Sequence, residues 1–191
     1  MSAIVLSAGV RSNLLQLQQT ADLISITQTR LATGKRVNSA LDNPTNFFTA
    51  SALNNRASDL NGLLDSMGTA IKTLQAADNG ISAITKLVQS AQATARQAQQ
   101  TTDAAERASL ATQFGDIRTQ IDSLAADSGF NGKNLIDGDD LEVVFNEDAS
   151  STQTITGVDM TTTGLAIAAA ANAWVADADI QVALDDITRP P

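Results

Sequence analysis

No cysteine and no histidine occur in the sequence. Disulfides, thiol nucleophiles, zinc fingers and haem attachment are therefore excluded. A Ser-His-Asp triad and an H-E-x-x-H metalloprotease site are impossible for the same reason. Tyrosine is also absent, Trp174 is the sole tryptophan, and aromatics make up 3% of the chain. A core with so little bulk does not fit a compact enzyme. The Ala, Ser, Thr, Asn, Gln and Leu that dominate suit long helices packed closely together. Burial per residue is then modest, and much of the stability is expected from other helices or other chains. No run of 18 apolar residues exists, so no membrane-spanning helix is expected. The opening MSAIVLSAGVRSN lacks a basic segment before its short apolar stretch and does not read as a secretory signal.

What charge there is lies unevenly. Residues 1–102 carry eight Lys/Arg and five Asp/Glu, a net of +3. Residues 103–191 carry four and sixteen, a net of −12, and the whole chain stands at −9. The acidic part disfavours nucleic acid, and the basic residues of the first part are scattered rather than striped. A solvated acidic surface is the simpler reading. Asp137, Asp139, Asp140 and Glu142 are clustered but lack the D-x-D-x-D-G order of a calcium loop, so they read as an acidic turn. Asn79-Gly80 and Asn131-Gly132 read as turn signals rather than phosphate cradles. Nothing calls for a cofactor, a metal or a small-molecule substrate, and the chain does not read as an enzyme.

Apolar spacing supplies the architecture. Leu14, Leu17, Ala21, Ile24 and Leu31 recur at helical intervals, with Gln28 in one slot, and predict a helix over about 10–32. The first ten residues read as only conditionally ordered. The polar elbow RLATGKRVNSALDNP at 30–44 must stop that helix, through Gly34, and start another at Pro44. The second helix, about 45–100, has its seam at Leu60, Leu64, Met67, Ile71 and Leu74, continuing through Ile81, Ile84, Val88, Ala91 and Ala95. A phase shift and a possible bend fall at Gly80, which costs about 1 kcal/mol in a helix interior. Leu110, Phe114, Ile117, Ile121 and Leu124 mark a third helix over about 103–127, with Asp103 and Glu106 as a loose capping box. The short connection makes helices two and three antiparallel. SGFNGKNLIDG reads as turns, and LEVVF with TQTITGV as a β-hairpin over about 141–158. The stretch 165–174 is ambiguous, with a short helix possible. A last helix over about 177–187 starts at a cap on Asp177 or Asp179 and is stopped by prolines. The fold class is thus mainly α: long antiparallel helices in a rod-like coiled-coil bundle with a small β-hairpin region.

Three stretches resemble the N-terminal region of bacterial flagellin. The elbow RLATGKRVNSALDN is similar to the family's R-L-S-S-G-x-R-I-N-S-A-x-D-[DN]. AADNGISAI at 76–84 is similar to A-N-D-G-I-S, and SGFNGKNLIDG at 128–138 to F-N-G-x-x-L-L. FFTASALNNRASDLNGLLDSMG resembles the short flagellins of alphaproteobacteria. The order and spacing carry the resemblance over roughly residues 1–140. It implies a structural subunit of the flagellar filament, exported through the flagellar type III channel without a cleavable signal and assembled outside the cell for swimming motility. Residues 1–44 would be the inner-tube helix and spoke, and residues 45–191 the rod-like outer domain.

The partners implied are further copies of the chain, hook-associated and cap proteins, and the export apparatus. Filament contacts are expected at Leu14, Leu17, Ile24, Arg30, Leu31, Lys35, Arg36, Asn38 and Asp42; for the polar members, capping of helix ends is the simpler alternative. An apolar seam such as that of the first helix cannot be satisfied within one chain and tends to stay disordered until covered. The resemblance covers the N-terminal part of the family and a stub at 177–187, and the family's returning C-terminal helices and export-chaperone site are expected to be missing from this chain. Without them an apolar stripe stays exposed, and this chain alone is expected not to form a regular filament. The stretch 86–100 lacks the R-x-x-E-L-A patch through which many flagellins are read by a vertebrate surface receptor. Two other readings remain open: a hook–filament junction protein, and a helical regulatory partner of flagellin that does not polymerise.

Overall fold

The computed structural model describes residues 7–189, so the expectation for Met1–Leu6 lies outside the described residues. The chain divides into two compact units, Met1–Asp59 and Leu60–Pro191.

In the first unit, helix α1 spans Ala8–Thr33. It starts two residues before the expected Val10 because the Ser7 hydroxyl accepts a bond from the Val10 N–H at 3.5 Å. Threonine is a mediocre helix former, but the hydroxyls of Thr20, Thr27, Thr29 and Thr33 each donate to the carbonyl four residues back. Gly34, with φ of 65°, terminates the helix in the left-handed conformation that glycine adopts without steric penalty. No residue of α1 is buried. Helix α2, Pro44–Gln100, opens on a proline whose missing N–H is no loss in a first turn. The Asn43 side chain caps it by accepting from the Asn46 N–H at 3.0 Å.

In the second unit, the remainder of α2 packs on α3, Ala104–Asp127. Ala91, Ala95 and Ala98 share a core with Leu110, Ala111 and Phe114, whereas Ala70, Ala77 and Ile84 share one with Ile121 and Ala125. The pairing descends one helix as it ascends the other, so the two are antiparallel. Asp103 caps α3, its carboxylate accepting from the N–H groups of Ala105 and Glu106. The return half of the capping box differs from expectation. Glu106 accepts from the Thr101 hydroxyl at 2.7 Å, and that hydroxyl accepts from the Asp103 N–H at 3.2 Å.

The expected seam of α2 holds in its second half, where Ile84, Ala91 and Ala95 are buried and Val88 packs on the core, and differs over Leu60 to Ile81. Ala70, Thr73, Ala77, Gly80, Ile84, Ala91, Ala95 and Ala98 point inward. Leu60, Leu64, Ile71, Leu74 and Ile81 are exposed. The reason is distance: small side chains let α3 and the following loop approach closely. At Gly80 an added Cβ would sit 2.5 Å from Ser128 Oγ and 2.6 Å from Ile136 Cδ1. Gly80 therefore marks a close approach, and α2 is one continuous helix through it.

After α3, β1 (Leu141–Val144) pairs antiparallel with β2 (Thr152–Ile155), Leu141 opposite Ile155. Leu141 and Val143 face the core. A 3-10 turn, Ala171–Trp174, then delivers Trp174 into the cluster of Phe114 and the α2 alanines. The two rings lie 5.0 Å apart. Asn172, Ala173 and Trp174 all have positive φ, a conformation that L-residues adopt at a steric penalty and hold here against full burial of the indole. Helix α4, Asp177–Thr188, closes the unit with Ile180, Ala183 and Leu184 inward. Its N-cap is Ala176 with no side-chain bond, a correction to the Asp177 or Asp179 cap. Asp177 instead pairs with Arg107.

Candidate assembly surface

On α1, Leu14, Leu17, Ile24 and Leu31 are between 50% and 84% exposed, as are Leu15 and Leu23 within the same range. A contiguous row of this size on one helix marks a surface built to be covered. Thr20, Leu23, Ile24, Thr27, Gln28 and Leu31 line one shallow groove along it.

The elbow at 34–43 is ordered by its own polar side chains. The Asp42 carboxylate accepts from the N–H groups of Asn38 at 2.9 Å and Ser39 at 3.1 Å. Those two bonds, the Asn38 one first, hold the Asp42 carboxyl below its ordinary value of 3.8, and the Arg30 charge adds to the effect. The Asn38 amide donates to the Lys35 carbonyl at 3.2 Å, and its Oδ1 lies 2.7 Å from the Thr33 hydroxyl, whose one proton it shares with the Thr29 carbonyl. Asn38 and Asp42 thus brace the elbow from within. Lys35 and Arg36 are carried exposed at its apex. They line an open groove of about 770 Å³ together with Val37, Asn38, Phe47, Leu53, Asn54 and Asn55. Arg30, in the last turn of α1, sits where a cation favours a helix C-terminus. Of the expected contact residues, Lys35, Arg36 and Asn38 come together around one groove; Leu14, Leu17, Ile24 and Leu31 lie along α1. Phe47, Leu53, Asn54 and Asn55 were not anticipated, although the Phe47-Phe48 pair beside a helix start was a visible signal.

The second unit contributes another apolar row, Leu60, Leu64, Ile71, Leu74 and Ile81. Its frame is held by long-range bonds. Arg107 is buried; it pairs with Asp177 and donates to the carbonyls of Val175 at 3.2 Å and Thr101 at 2.7 Å. Arg118 donates to the Ile167 carbonyl at 3.0 Å and the Thr162 hydroxyl at 3.3 Å. Asp122 accepts from the Thr162 N–H and hydroxyl. The acidic turn is spent in the same way: Asp139 accepts from the Asn134 N–H and Asp140 from the Gly157 N–H.

Residues 7–140 match the model of the bacterial flagellin N-terminal helical region. The chain belongs to the flagellin family. This flagellin-family chain is 29% identical over 180 residues to flagellin FljK of Caulobacter vibrioides, covering 90% of the chain and 66% of that relative. Flagellin FljO of the same organism gives the same figures. A flagellin of Listeria monocytogenes is 25% identical over 111 residues, 58% of the chain and 39% of the relative. The chain spans about two thirds of the length of the Caulobacter relatives it matches. The helix–elbow–helix–turn layout of the flagellin match is the one described above, from α1 to the turns after α3.

Proposed function

We propose that this flagellin-family chain is a structural subunit of the bacterial flagellar filament, exported from the cell and self-assembling for motility. The observation that carries the proposal is that α1 buries nothing while presenting a full-length row of leucine and isoleucine. Covering a large aliphatic side chain is worth about 1.5–3 kcal/mol, so the row represents a strong drive to associate. Residues 1–44 act as inner-tube helix and spoke, and residues 45–191 as the outer domain. Leu14, Leu17, Ile24 and Leu31 are the apolar contacts. Arg30, Lys35 and Arg36 present charge to neighbouring subunits, on an elbow fixed by Asn38 and Asp42. The partners are other copies, hook-associated and cap proteins, and the export apparatus. The family match over 7–140 and the flagellin relatives support this over a junction protein or a non-polymerising regulator.

The test places a charge in the row. Ile24→Asp and Leu31→Asp are compared with the parent chain by sedimentation and by incorporation into filaments of a flagellated host. Both variants are expected to lose association and incorporation while Trp174 fluorescence, which reports the second unit, stays unchanged. Unimpaired incorporation of both would refute the role of α1.

A further inference from the structure

Three Asn-Gly pairs stand in the sequence: Asn61-Gly62, Asn79-Gly80 and Asn131-Gly132. Asn-Gly is chemically fragile because glycine has no Cβ to obstruct attack of its backbone nitrogen on the preceding side-chain amide. Local structure decides whether that attack can happen, and here it separates the three. Asn61-Gly62 and Asn79-Gly80 lie inside α2, where the glycine nitrogens are held in the helical ladder with fixed dihedrals. Gly80 is also buried beneath Ser128 and Ile136.

Asn131-Gly132 forms the exposed tip of a tight turn. Phe130 N–H donates to the Lys133 carbonyl at 2.9 Å, and Lys133 N–H donates to the Phe130 carbonyl at 3.1 Å. The two tip residues have φ of 51° and 76°, the pairing of a type I′ turn. Among the described residues no hydrogen bond engages the Gly132 N–H or the Asn131 side-chain amide. A Cβ placed on Gly132 would meet nothing within 4 Å, so the atoms that must approach one another stand in open solvent.

We propose that Asn131 is a site of spontaneous deamidation, and that Asn61 and Asn79 are protected in the folded chain. The Gly132 nitrogen gives up its proton to a solvent base and attacks Asn131 Cγ. The new N–Cγ bond forms, the bond from Cγ to the side-chain amide nitrogen breaks, and ammonia leaves after taking up a proton. One water molecule then opens the cyclic imide. Opening at the side-chain carbonyl yields aspartate; opening at the backbone carbonyl yields isoaspartate, with the chain routed through the former side chain. No oxidant or reductant is involved, and the rate rises with pH because the nitrogen must be deprotonated.

The isoaspartyl product adds a methylene to the backbone of a two-residue turn, which cannot then keep both Phe130–Lys133 bonds in register. It also places a carboxylate two residues before Lys133 in the turn. The turn would thus record the age of the protein as a change of charge and shape at the end of α3.

The test is incubation of the full chain in mildly alkaline buffer, followed by peptide mapping with mass spectrometry and by isoaspartyl methyltransferase labelling. The Asn131 peptide is expected to convert at least about tenfold faster than those of Asn61 and Asn79, a barrier difference of about 1.4 kcal/mol. In denaturing urea the three rates are expected to converge. Asn131→Gln, which would need a less favourable six-membered ring, is expected to abolish conversion of that peptide with unchanged circular dichroism. Equal rates at the three sites in the folded chain, or the same ranking in urea, would overturn the proposal, as would undiminished conversion in Asn131→Gln.

Discussion

Replacing a helical glycine by alanine normally stabilises a helix by about 0.8–1.0 kcal/mol. At Gly80 the opposite sign is expected. The added methyl carbon would stand 2.5 Å from Ser128 Oγ, 2.6 Å from Ile136 Cδ1 and 2.8 Å from Ser128 Cβ. Ile136 Cδ1 is the end of a flexible side chain and can move. Ser128 Cβ is fixed to the backbone that ends α3, and its hydroxyl donates to the Leu124 carbonyl at 2.6 Å. Overpacking of that kind costs about 1–3 kcal/mol. After the propensity gain, Gly80→Ala is expected to destabilise the second unit by about 1 kcal/mol. Gly115, in α3, is the internal control: a Cβ there meets nothing within 4 Å, so Gly115→Ala should stabilise by close to the full propensity difference. The two alanines are thus separated by about 2 kcal/mol, or about 4–8 °C in Tm for a unit of this size. Urea or thermal unfolding followed by circular dichroism and by Trp174 emission reads both. Combining Gly80→Ala with Ser128→Gly removes the fixed clash and should recover part of the loss as a coupling energy. Stabilisation by Gly80→Ala equal to that by Gly115→Ala would refute the close-approach argument.

Three further outcomes follow from the geometry. Arg107→Ala leaves the Thr101 and Val175 carbonyls without their donor and should cost about 2–3 kcal/mol, whereas Asp177→Ala, at a largely exposed carboxylate, should cost under about 1 kcal/mol; urea unfolding checks the asymmetry. Trp174→Phe removes a buried indole N–H that has no hydrogen-bond partner among the described residues, and should be nearly neutral by thermal circular dichroism, while Trp174→Ala should cost about 3–5 kcal/mol. Asp42 has its carboxyl held low by the Asn38 and Ser39 N–H groups, so its contribution to elbow order is present above pH 3.8 and lost as pH falls through the lower folded value. The Asn38 and Ser39 amide resonances should titrate with a midpoint below 3.8, and a midpoint at or above that value would refute the bracing role.

Helix boundaries were legible because their signals are local. Gly34, Pro44 and Asp103 announce stops and starts from a few residues, and α1, α2 and α3 end within two residues of expectation. On α3 the expected seam also holds, with Leu110, Phe114 and Ile121 buried. The buried face of α2 was legible over Ile84, Val88, Ala91 and Ala95 but not before them. Spacing shows which apolar residues share a face but not which of two apolar faces the chain itself covers, and the leucine row was the more conspicuous. The bonds of Arg107, Arg118 and Asp122 escaped notice for another reason: their partners Asp177, Ile167 and Thr162 lie 40 to 70 residues away, and no local pattern encodes them. In the elbow, Lys35, Arg36, Asn38 and Asp42 stood out by type, whereas the groove beside them depends on how the start of α2 is set against the elbow.

The distribution of side-chain size on α2 carries the strongest physical argument about assembly. Within the second unit the helix turns mostly alanine, threonine and glycine inward, with Ile84 the large exception, and leaves Leu60, Leu64, Ile71, Leu74 and Ile81 outward. A monomer optimised alone would do the reverse, because each buried leucine contributes far more than a buried alanine. The small residues are explained by the close approach of α3 and its loop. The exposed leucines have no such local explanation, since substituting them by polar residues would leave the contacts within the unit intact. They repeat on α2 what Leu14, Leu17, Ile24 and Leu31 present on α1, a row of large aliphatics on a helix that needs none of them for its own packing. Two such rows in one chain favour a subunit whose largest apolar burial comes from association over a regulator that works through a single face. They also lead to a measurable difference: Leu64→Asn and Leu74→Asn should leave the unfolding midpoint of the second unit within about 0.5 kcal/mol, as surface substitutions do, while weakening self-association. A large loss of stability in the isolated chain would show that the row is packed within it and would remove this support for the filament reading.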